Sequence, residues 1–277
     1  MKNGMQLKAI IKNYARENNI SPQIALQYYM LEKILERISF SKYRDYFIFK
    51  GGFLIAAMVG VSYRSTMDMD ATIKNFPLNE DSIEKIFKEL CILNNDEINF
   101  TFLNVENIRE NDTYKGYRVH LKGIFSPLAV DLKIDITTGD SITPSPIDFQ
   151  YRKMLENKYI NIKSYNLETI IAEKIETIIT RGVTTTRIRD FYDVFILSSI
   201  YSNNINFEIL KDAIENTCKN RSSNINGYEL VCRDIRNDTT LRNYWINYQK
   251  SYEYAQGIDF DECIEKIIYI CNEINKL

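Results

Sequence analysis

The stretch from Tyr46 to Ile73 reads YFIFKGGFLIAAMVGVSYRSTMDMDATI, and it decides the fold. It opens on a short apolar run, Tyr46 to Phe49, with the composition of a buried strand. Lys50-Gly51-Gly52 ends that run. Phe53 to Val59 is compact, apolar and rich in alanine, which favours a short helix over a second strand. Met67 to Ile73 then alternates Met-Asp-Met-Asp-Ala-Thr-Ile, the period-two pattern of a strand with one buried face. Strand, glycine pair, short helix and strand in quick succession describe an α/β core.

The same stretch carries candidate chemistry. Asp68 and Asp70 are two apart on the expected strand and so share a face, where two like charges are unfavourable unless a cation compensates them. A solvated strand face would show the same spacing. What precedes the pair shifts the balance. Gly51-Gly52 follows a strand and opens a helix, an arrangement that lets backbone N–H groups approach an anion. Arg64-Ser65-Thr66 adds a fixed cation and two hydroxyls just upstream of the aspartates. Phosphate donors and two carboxylates can therefore meet in one cleft.

Upstream, Leu7 to Glu17 and Ile24 to Ile38 have helical spacing, and Ser21-Pro22 is an N-cap followed by proline at the first helical position. Downstream, Asn79 to Leu93 is a helix, and the period then changes to two. Ile98 to Val105, Tyr114 to Leu121 and Leu128 to Ile136 read as three strands of a meander. In the last, Asp131, Lys133 and Asp135 alternate with apolar residues, so either aspartate could join Asp68 and Asp70 from a neighbouring strand. Three carboxylates with water and phosphate oxygens suit Mg²⁺ or Mn²⁺ rather than zinc. The third could also accept the proton of an attacking hydroxyl. From Leu167 onward the strand pattern stops. Leu167–Thr180, Arg189–Ser199, Phe207–Asn216 and Glu262–Ile274 read as helices. The expected division is a mixed α/β half over 1–160 and a helical half over 161–277.

Composition excludes several classes. With 277 residues, 45% of them hydrophobic, and a net charge of −2, the chain can bury a core and is not disordered. Balanced charge means that any nucleic-acid contact must use a local patch. The longest apolar stretch, Phe53 to Val61, is roughly half a bilayer span, and Met1 to Asn19 shows no secretory pattern. Five cysteines without a C-x-x-C pair fit buried thiols in a reducing compartment, so a cytoplasmic protein with no membrane partner is expected. The single histidine, His120, lies on the polar side of its strand, and a zinc site with several imidazoles is impossible. Kinase chemistry is disfavoured by the lack of a Gly-x-Gly-x-x-Gly loop and a His-Arg-Asp segment.

Taken together, Lys50-Gly51-Gly52, Arg64 to Asp70 and Ile134-Asp135-Ile136 resemble the DNA polymerase β-type nucleotidyltransferase fold, and more narrowly the AbiEii/AbiGii family of nucleotidyltransferase toxins. The helical half supports the narrower likeness. Ala172-Glu173-Lys174, Arg181 and Arg187-Ile188-Arg189-Asp190-Phe191-Tyr192-Asp193 are similar to the A-E-K helix and R-x-K-D-x-x-D segment of that family. The resemblance implies an α+β protein, a polymerase β-like mixed sheet followed by an all-helical C-terminal domain that completes a nucleotide cleft. It implies that Asp68 and Asp70 hold Mg²⁺ or Mn²⁺, that Asp135 is the third metal-binding and catalytic carboxylate, and that Gly51, Gly52, Arg64 and Ser65 bind the NTP. Lys174 would meet nucleotide phosphates and, with Asp190 and Asp193, finish the pocket from the helical side. The implied activity is transfer of a nucleoside monophosphate from an NTP, for some relatives to the 3′ end of tRNA. The implied setting is a toxin–antitoxin pair linked to phage abortive infection, with a cognate antitoxin as partner.

Two positions depart from the family pattern. Phe53 follows the glycines where Ser or Thr is common, and Arg189 stands where Lys is more usual. The residues alone also fit a nucleotidyltransferase with a small-molecule or protein acceptor, or a non-catalytic NTP-sensing protein. Two smaller alternatives concern the helices. Lys174 lies beside an isoleucine stripe and also reads as an exposed flanking charge, while Asp190 also reads as a helix N-cap. The segment Arg181 to Arg189, with three arginines, three threonines and no acid, reads as a solvated connector or as a phosphate-binding loop.

Overall fold

A computed structural model describes residues 3–93, 97–108 and 116–277. The chain divides into two compact units, Met1–Gly139 with Ile147–Ser164, and Asp140–Pro146 with Tyr165–Leu277. Residue 160, where the sequence pattern places the change, falls inside a strand of the first unit.

The first unit contains helices α1 (Gly4–Glu17), α2 (Pro22–Phe40), α3 (Gly51–Val59) and α4 (Glu80–Ile92). Its strands are β1 (Phe47–Lys50), β2 (Met69–Ile73), β3 (Asn99–Asn107), β4 (Gly116–Phe125), β5 (Leu128–Thr137), β6 (Ile147–Arg152) and β7 (Tyr159–Ser164). They form one sheet in the order β3-β4-β5-β2-β1-β7-β6. Its β2/β5 and β1/β7 pairs are parallel and the rest antiparallel. Strand alternation puts Val119, Leu121, Leu132, Ile134, Ile136, Met69 and Ala71 wholly inside, against helices that include α2 and α4. Local signals start the helices. Ser21 accepts from Ile24 N–H with Pro22 behind it, and Asn79 and Ser82 form a capping box at α4. At the far end of α4, buried Arg37 donates to the carbonyls of Leu90 and Cys91 and to Ile98 O at 2.6 Å, satisfying acceptors that a helix C-terminus leaves open.

Three strands differ from the sequence reading, and the start of a fourth lies outside the described residues. The strand expected from Met67 begins at Met69, because the Thr66 hydroxyl bonds the Asp68 backbone in place of a ladder partner. The strand expected from Tyr114 is seen from Gly116, and Tyr114 lies outside the described residues. Strand β6, Ile-Asp-Phe-Gln-Tyr-Arg, does alternate but is absent from the sequence reading; it is short and, as an edge strand allows, only Tyr151 of its apolar face is buried. Strand β7 alternates, with Ile160 and Ile162 buried, but is only six residues long.

The second unit is helical: α5 (Leu167–Arg181), α6 (Ile188–Ile200), α7 (Phe207–Arg221), α8 (Tyr228–Asn237), α9 (Thr239–Ser251) and α10 (Phe260–Asn275). Its core joins Ile171, Ile175, Phe191, Val194, Leu197, Leu210, Ile264 and Ile267. Asn166 caps α5 and Asp238 caps α9. The sequence reading names neither α8 nor α9, although α8 has helical spacing in its buried Tyr228, Cys232 and Ile235. Cys218, Cys232, Cys263 and Cys271 are buried free thiols, and Cys91 is half-buried. No described helix is long and apolar enough to cross a membrane.

Candidate active site

Backbone register sets five charged residues in a line across the sheet. Glu106 on β3 pairs with Arg118 on β4, Arg118 with Asp135 on β5, Asp135 with Asp70 on β2, and Asp70 with Lys50 on β1. Registered partners point to one face, so the row runs acid, base, acid, acid, base, opposite the face buried by Val119, Ile134 and Ala71. Asp70 and Asp135 are thus neighbours, and each has a cation on its other side. Arg118 grips Asp135 through both oxygens, Nε to Oδ1 and Nη2 to Oδ2, each at 2.8 Å. These hydrogen bonds push the guanidinium above its ordinary range, and the charges of Asp68 and Glu106 add to them. His120, the next residue of β4 on this face, pairs with Glu106 at 3.1 Å.

The glycine pair meets the row at Asp70. A Cβ on Gly51 would lie 2.1 Å from Asp70 Oδ2, and Gly51 has φ +65°. Only glycine serves there, on both counts. A Cβ on Gly52 would lie 2.8 Å from Arg64 Nη2 and 3.1 Å from Thr66 Oγ1. Gly51 and Gly52 are the first residues of α3, and Lys50 at its N-cap makes no side-chain capping bond. Backbone N–H groups, an arginine and a carboxylate therefore converge at one helix N-terminus, a place suited to an anion. Arg64 and Ser65 are both buried, with Arg64 Nη1 donating to the Ser65 carbonyl. The sequence pattern had offered them as open donors beside the strand. Phe53 is wholly buried and stacks on Tyr151 at 5.5 Å, so it is a core residue rather than a lost phosphate contact.

Among the described residues, no group of three carboxylate, imidazole or thiol side chains stands ready to hold a metal ion. The expected trio of Asp68, Asp70 and Asp135 is not assembled. Asp68 is exposed just ahead of β2, and Asp135 faces Arg118. Mg²⁺ usually takes one or two carboxylates from a protein and fills its octahedron with phosphate and water oxygens. Asp68 and Asp70 fit that donor set without Asp135.

In the helical unit, Lys174 on α5 bridges Asp190 at 2.8 Å and Asp193 at 2.7 Å, both on α6. Arg187 adds a bond to Asp190 at 2.7 Å. Lys174 is thus not an exposed flanking charge, and Asp190 sits in the first turn of α6 behind the N-cap residue Arg187. Burial works against the Lys174 ammonium, yet the two aspartates outweigh it and hold its pKa above the usual lysine value. Burial likewise works against charged Asp190, but Lys174 and Arg187 bring it down to about 2. Arg189 turns to α9's end, stacking over the Tyr252 ring at 4.9 Å and donating to its hydroxyl.

Arg118 is the residue that the sequence reading missed. A signal for it exists: Ser126 and Pro127 form a two-residue turn with Phe125 opposite Leu128, and counting back along both strands pairs Arg118 with Asp135.

Known structures share this architecture. An H. pylori protein taken to be a nucleotidyltransferase superposes with a TM-score of 0.52 at 17% identity, over 93% of this chain and 96% of that one. JHP933 from Helicobacter pylori gives 0.51 at 16% identity, over 92% and 93%. At such identities the likeness speaks for the fold, which is that of the nucleotidyltransferases. The model of the AbiEii nucleotidyl transferase toxins of type IV toxin–antitoxin systems matches residues 33–266. The chain belongs to that family. Comparison with curated proteins gives no match.

Proposed function

We propose that this chain is a metal-dependent toxin that transfers a nucleoside monophosphate from an NTP to the 3′ end of an RNA, with tRNA the expected acceptor. The observation that carries this reading is the seating of Asp70 over Gly51, at the first turn of α3. The backbone of Gly51 and Gly52 receives the triphosphate, with Arg64 behind Gly52 adding positive charge. Asp68 and Asp70 would hold Mg²⁺, or Mn²⁺ in its place. When bound, the ion neutralises charge that develops on the transferred phosphoryl group and its pyrophosphate leaving group. The acceptor hydroxyl attacks the α-phosphorus, the bond to pyrophosphate breaks, and the hydroxyl proton passes to a carboxylate of the row or to water.

Lys174, Asp190 and Asp193 fix the start of α6 and so place the exposed Arg181 and Arg187 beside it. Those arginines favour a phosphodiester acceptor over a small molecule. A cognate antitoxin is the partner that the family implies, and unpaired buried thiols support a cytoplasmic setting.

Incubation of the protein with each α-³²P-labelled NTP, Mg²⁺ and total tRNA, read on a denaturing gel, tests the reading. Label enters tRNA with a preferred NTP, and Asp70→Asn lowers the rate about 100- to 1,000-fold with the melting temperature kept. Label on protein or on a small molecule instead would move the acceptor. No transfer to any acceptor, with Mn²⁺ tried as well, would turn the reading toward nucleotide sensing.

A further inference from the structure

We infer that Glu32 and Tyr151 are positioning residues, which hold the Gly51-Gly52 turn for an NTP from behind, through Phe53. The inference rests on the proposal that this turn receives the triphosphate, and deepens it. Phe53 follows Gly52 in the first turn of α3 and is wholly buried. Two rings clasp it. Tyr28 of α2 lies 5.2 Å away between centroids, and Tyr151 of β6 lies 5.5 Å away and within 5° of parallel. Contacts of this kind set relative orientation as well as burying area. Tyr151 is in turn held at its hydroxyl, which donates to Glu32 Oε2 at 3.1 Å. Met154 N–H donates to the same oxygen at 2.6 Å. Glu32 is 1% exposed, so both bonds are made in a medium of low dielectric, where they are strong.

Glu32 changes charge near neutrality. Burial pushes its carboxyl up to about 7, against the pull of its two hydrogen bonds and of Lys33 and Lys153. Those two cations also pair with Glu36, and Lys153 pairs with Glu156. Tyr14 of α1, with Arg152 acting on it, faces the same carboxyl, as do Tyr28 and Tyr151. Burial raises all three tyrosine hydroxyls above their ordinary value, so they stay protonated while Glu32 titrates. Ionised, Glu32 holds Tyr151 and Met154 by charge-assisted bonds, roughly twice as strong as neutral ones. Protonated at Oε1, it still accepts at Oε2 but as a neutral group. The Tyr151 ring, and with it Phe53 and the turn, is then less firmly placed. A turn already held in its binding geometry loses less freedom when the ligand arrives, so the ionised form is the one that favours NTP.

Calorimetric titration with α,β-methylene analogues of each NTP and Mg²⁺, at pH 6 and pH 8, tests this without any turnover. For the tightest analogue, Glu32→Gln, which mimics the protonated form, is expected to match wild type at pH 6 and to bind about threefold more weakly at pH 8. The nucleotide's own titration is common to both proteins and cancels in that comparison. Tyr151→Phe keeps the ring but removes the hydroxyl, and should likewise lose the wild type's advantage at pH 8. Stability separates positioning from mere support. The folded Glu32 carboxyl titrates above its unfolded value of 4.5, so its stabilisation is complete below pH 4.5 and is lost as pH rises through 7. Glu32→Gln escapes that loss and should melt no lower than wild type at pH 8 while binding the analogue more weakly. Equal affinities of wild type and Glu32→Gln at pH 8, or a pH response that survives in Tyr151→Phe, would overturn the inference and leave the turn as the triphosphate site. A Glu32→Gln protein that melts well below wild type at pH 8 would also overturn it, because weaker binding would then report lost support. Absence of binding of every analogue by wild type would instead remove the triphosphate reading, and this inference with it.

Discussion

The acidic row of the sheet and the lysine cluster of the helices use the same residue types to different ends. In the sheet, Asp70 and Asp135 are held side by side by strand register, with Asp68 exposed next to them. In the helical unit, Asp190 and Asp193 are also close, but they are buried with Lys174 between them, its side chain only 12% exposed. Carboxylates lined up at a surface, one of them beside a helix N-terminus, are an invitation to a cation and its phosphate ligand. Carboxylates buried around an ammonium are already satisfied. On the proposed reading the row receives substrate, whereas the cluster ties α5 to α6.

The sharpest way to break this contrast is to remove Lys174. Lys174→Met leaves two buried carboxylates without their main counter-ion and is expected to destabilise the protein by about 3–5 kcal/mol, read by urea or thermal unfolding. Arg118→Met, in the partly exposed row, should cost no more than about 1 kcal/mol. If Lys174→Met kept its unfolding midpoint and lost only NTP binding, Lys174 would serve the substrate directly, and the two regions would not differ as described.

Acid sharpens the contrast further, because each unit owns a buried carboxylate shifted the opposite way. Glu32 on α2 accepts from Met154 N–H at 2.6 Å and Tyr151 hydroxyl at 3.1 Å, yet burial dominates and pushes its carboxyl up to about 7. Its folded-state pKa exceeds the unfolded value of 4.5. The stabilisation is therefore complete below pH 4.5 and is lost as pH rises through 7. Asp190, held at about 2 against 3.8, stabilises above pH 3.8 and loses that contribution as pH falls through 2. Chemical denaturation between pH 4.5 and pH 8 should show a decline of up to about 3 kcal/mol that Glu32→Gln abolishes. A slope unchanged in Glu32→Gln would mean that other groups carry it. Asp190→Asn should leave this window untouched and flatten the profile only below pH 4.

Much of the sheet unit was legible in the sequence because its signals are local. The glycine pair, the Asp-x-Asp alternation and the Ser21-Pro22 cap each act within a few residues. The meander from Ile98 to Ile136 also declares itself, since β4 and β5 each turn one largely apolar face to the core. What stayed hidden depends on partners far along the chain. Glu32 and Arg37 look like ordinary surface charges on an amphipathic helix, and only packing against β6 and the end of α4 buries them. Lys174 reads as an exposed charge until α6 brings two aspartates to it. The pairing of Asp135 with Arg118 lay between these extremes, since the two-residue turn at Ser126-Pro127 fixes it. It needed strand arithmetic and not a motif.

The smallest expected effect concerns Arg189, which sits in the same turn as Asp190 and would count as an RNA-binding arginine on charge alone. Its guanidinium lies over the Tyr252 ring at 4.9 Å and donates to the Tyr252 hydroxyl, so it is committed to the helical unit's own aromatic cluster. A lysine keeps the charge but has no plane to stack and no second donor in a fixed fork. Arg189→Lys is expected to lower stability by about 1 kcal/mol or less, a shift of about 2–4 °C in Tm. Tyr252→Phe should lose part of the same amount. Combined, the two should cost less than their sum, because each removes the other's partner. Acceptor binding and its salt dependence should be unchanged in Arg189→Lys, whereas neutralising Arg181 or Arg187 should weaken both if they meet RNA phosphates. An Arg189→Lys protein with normal Tm and impaired acceptor binding would move Arg189 from the cluster that holds the fold to the surface that meets the substrate.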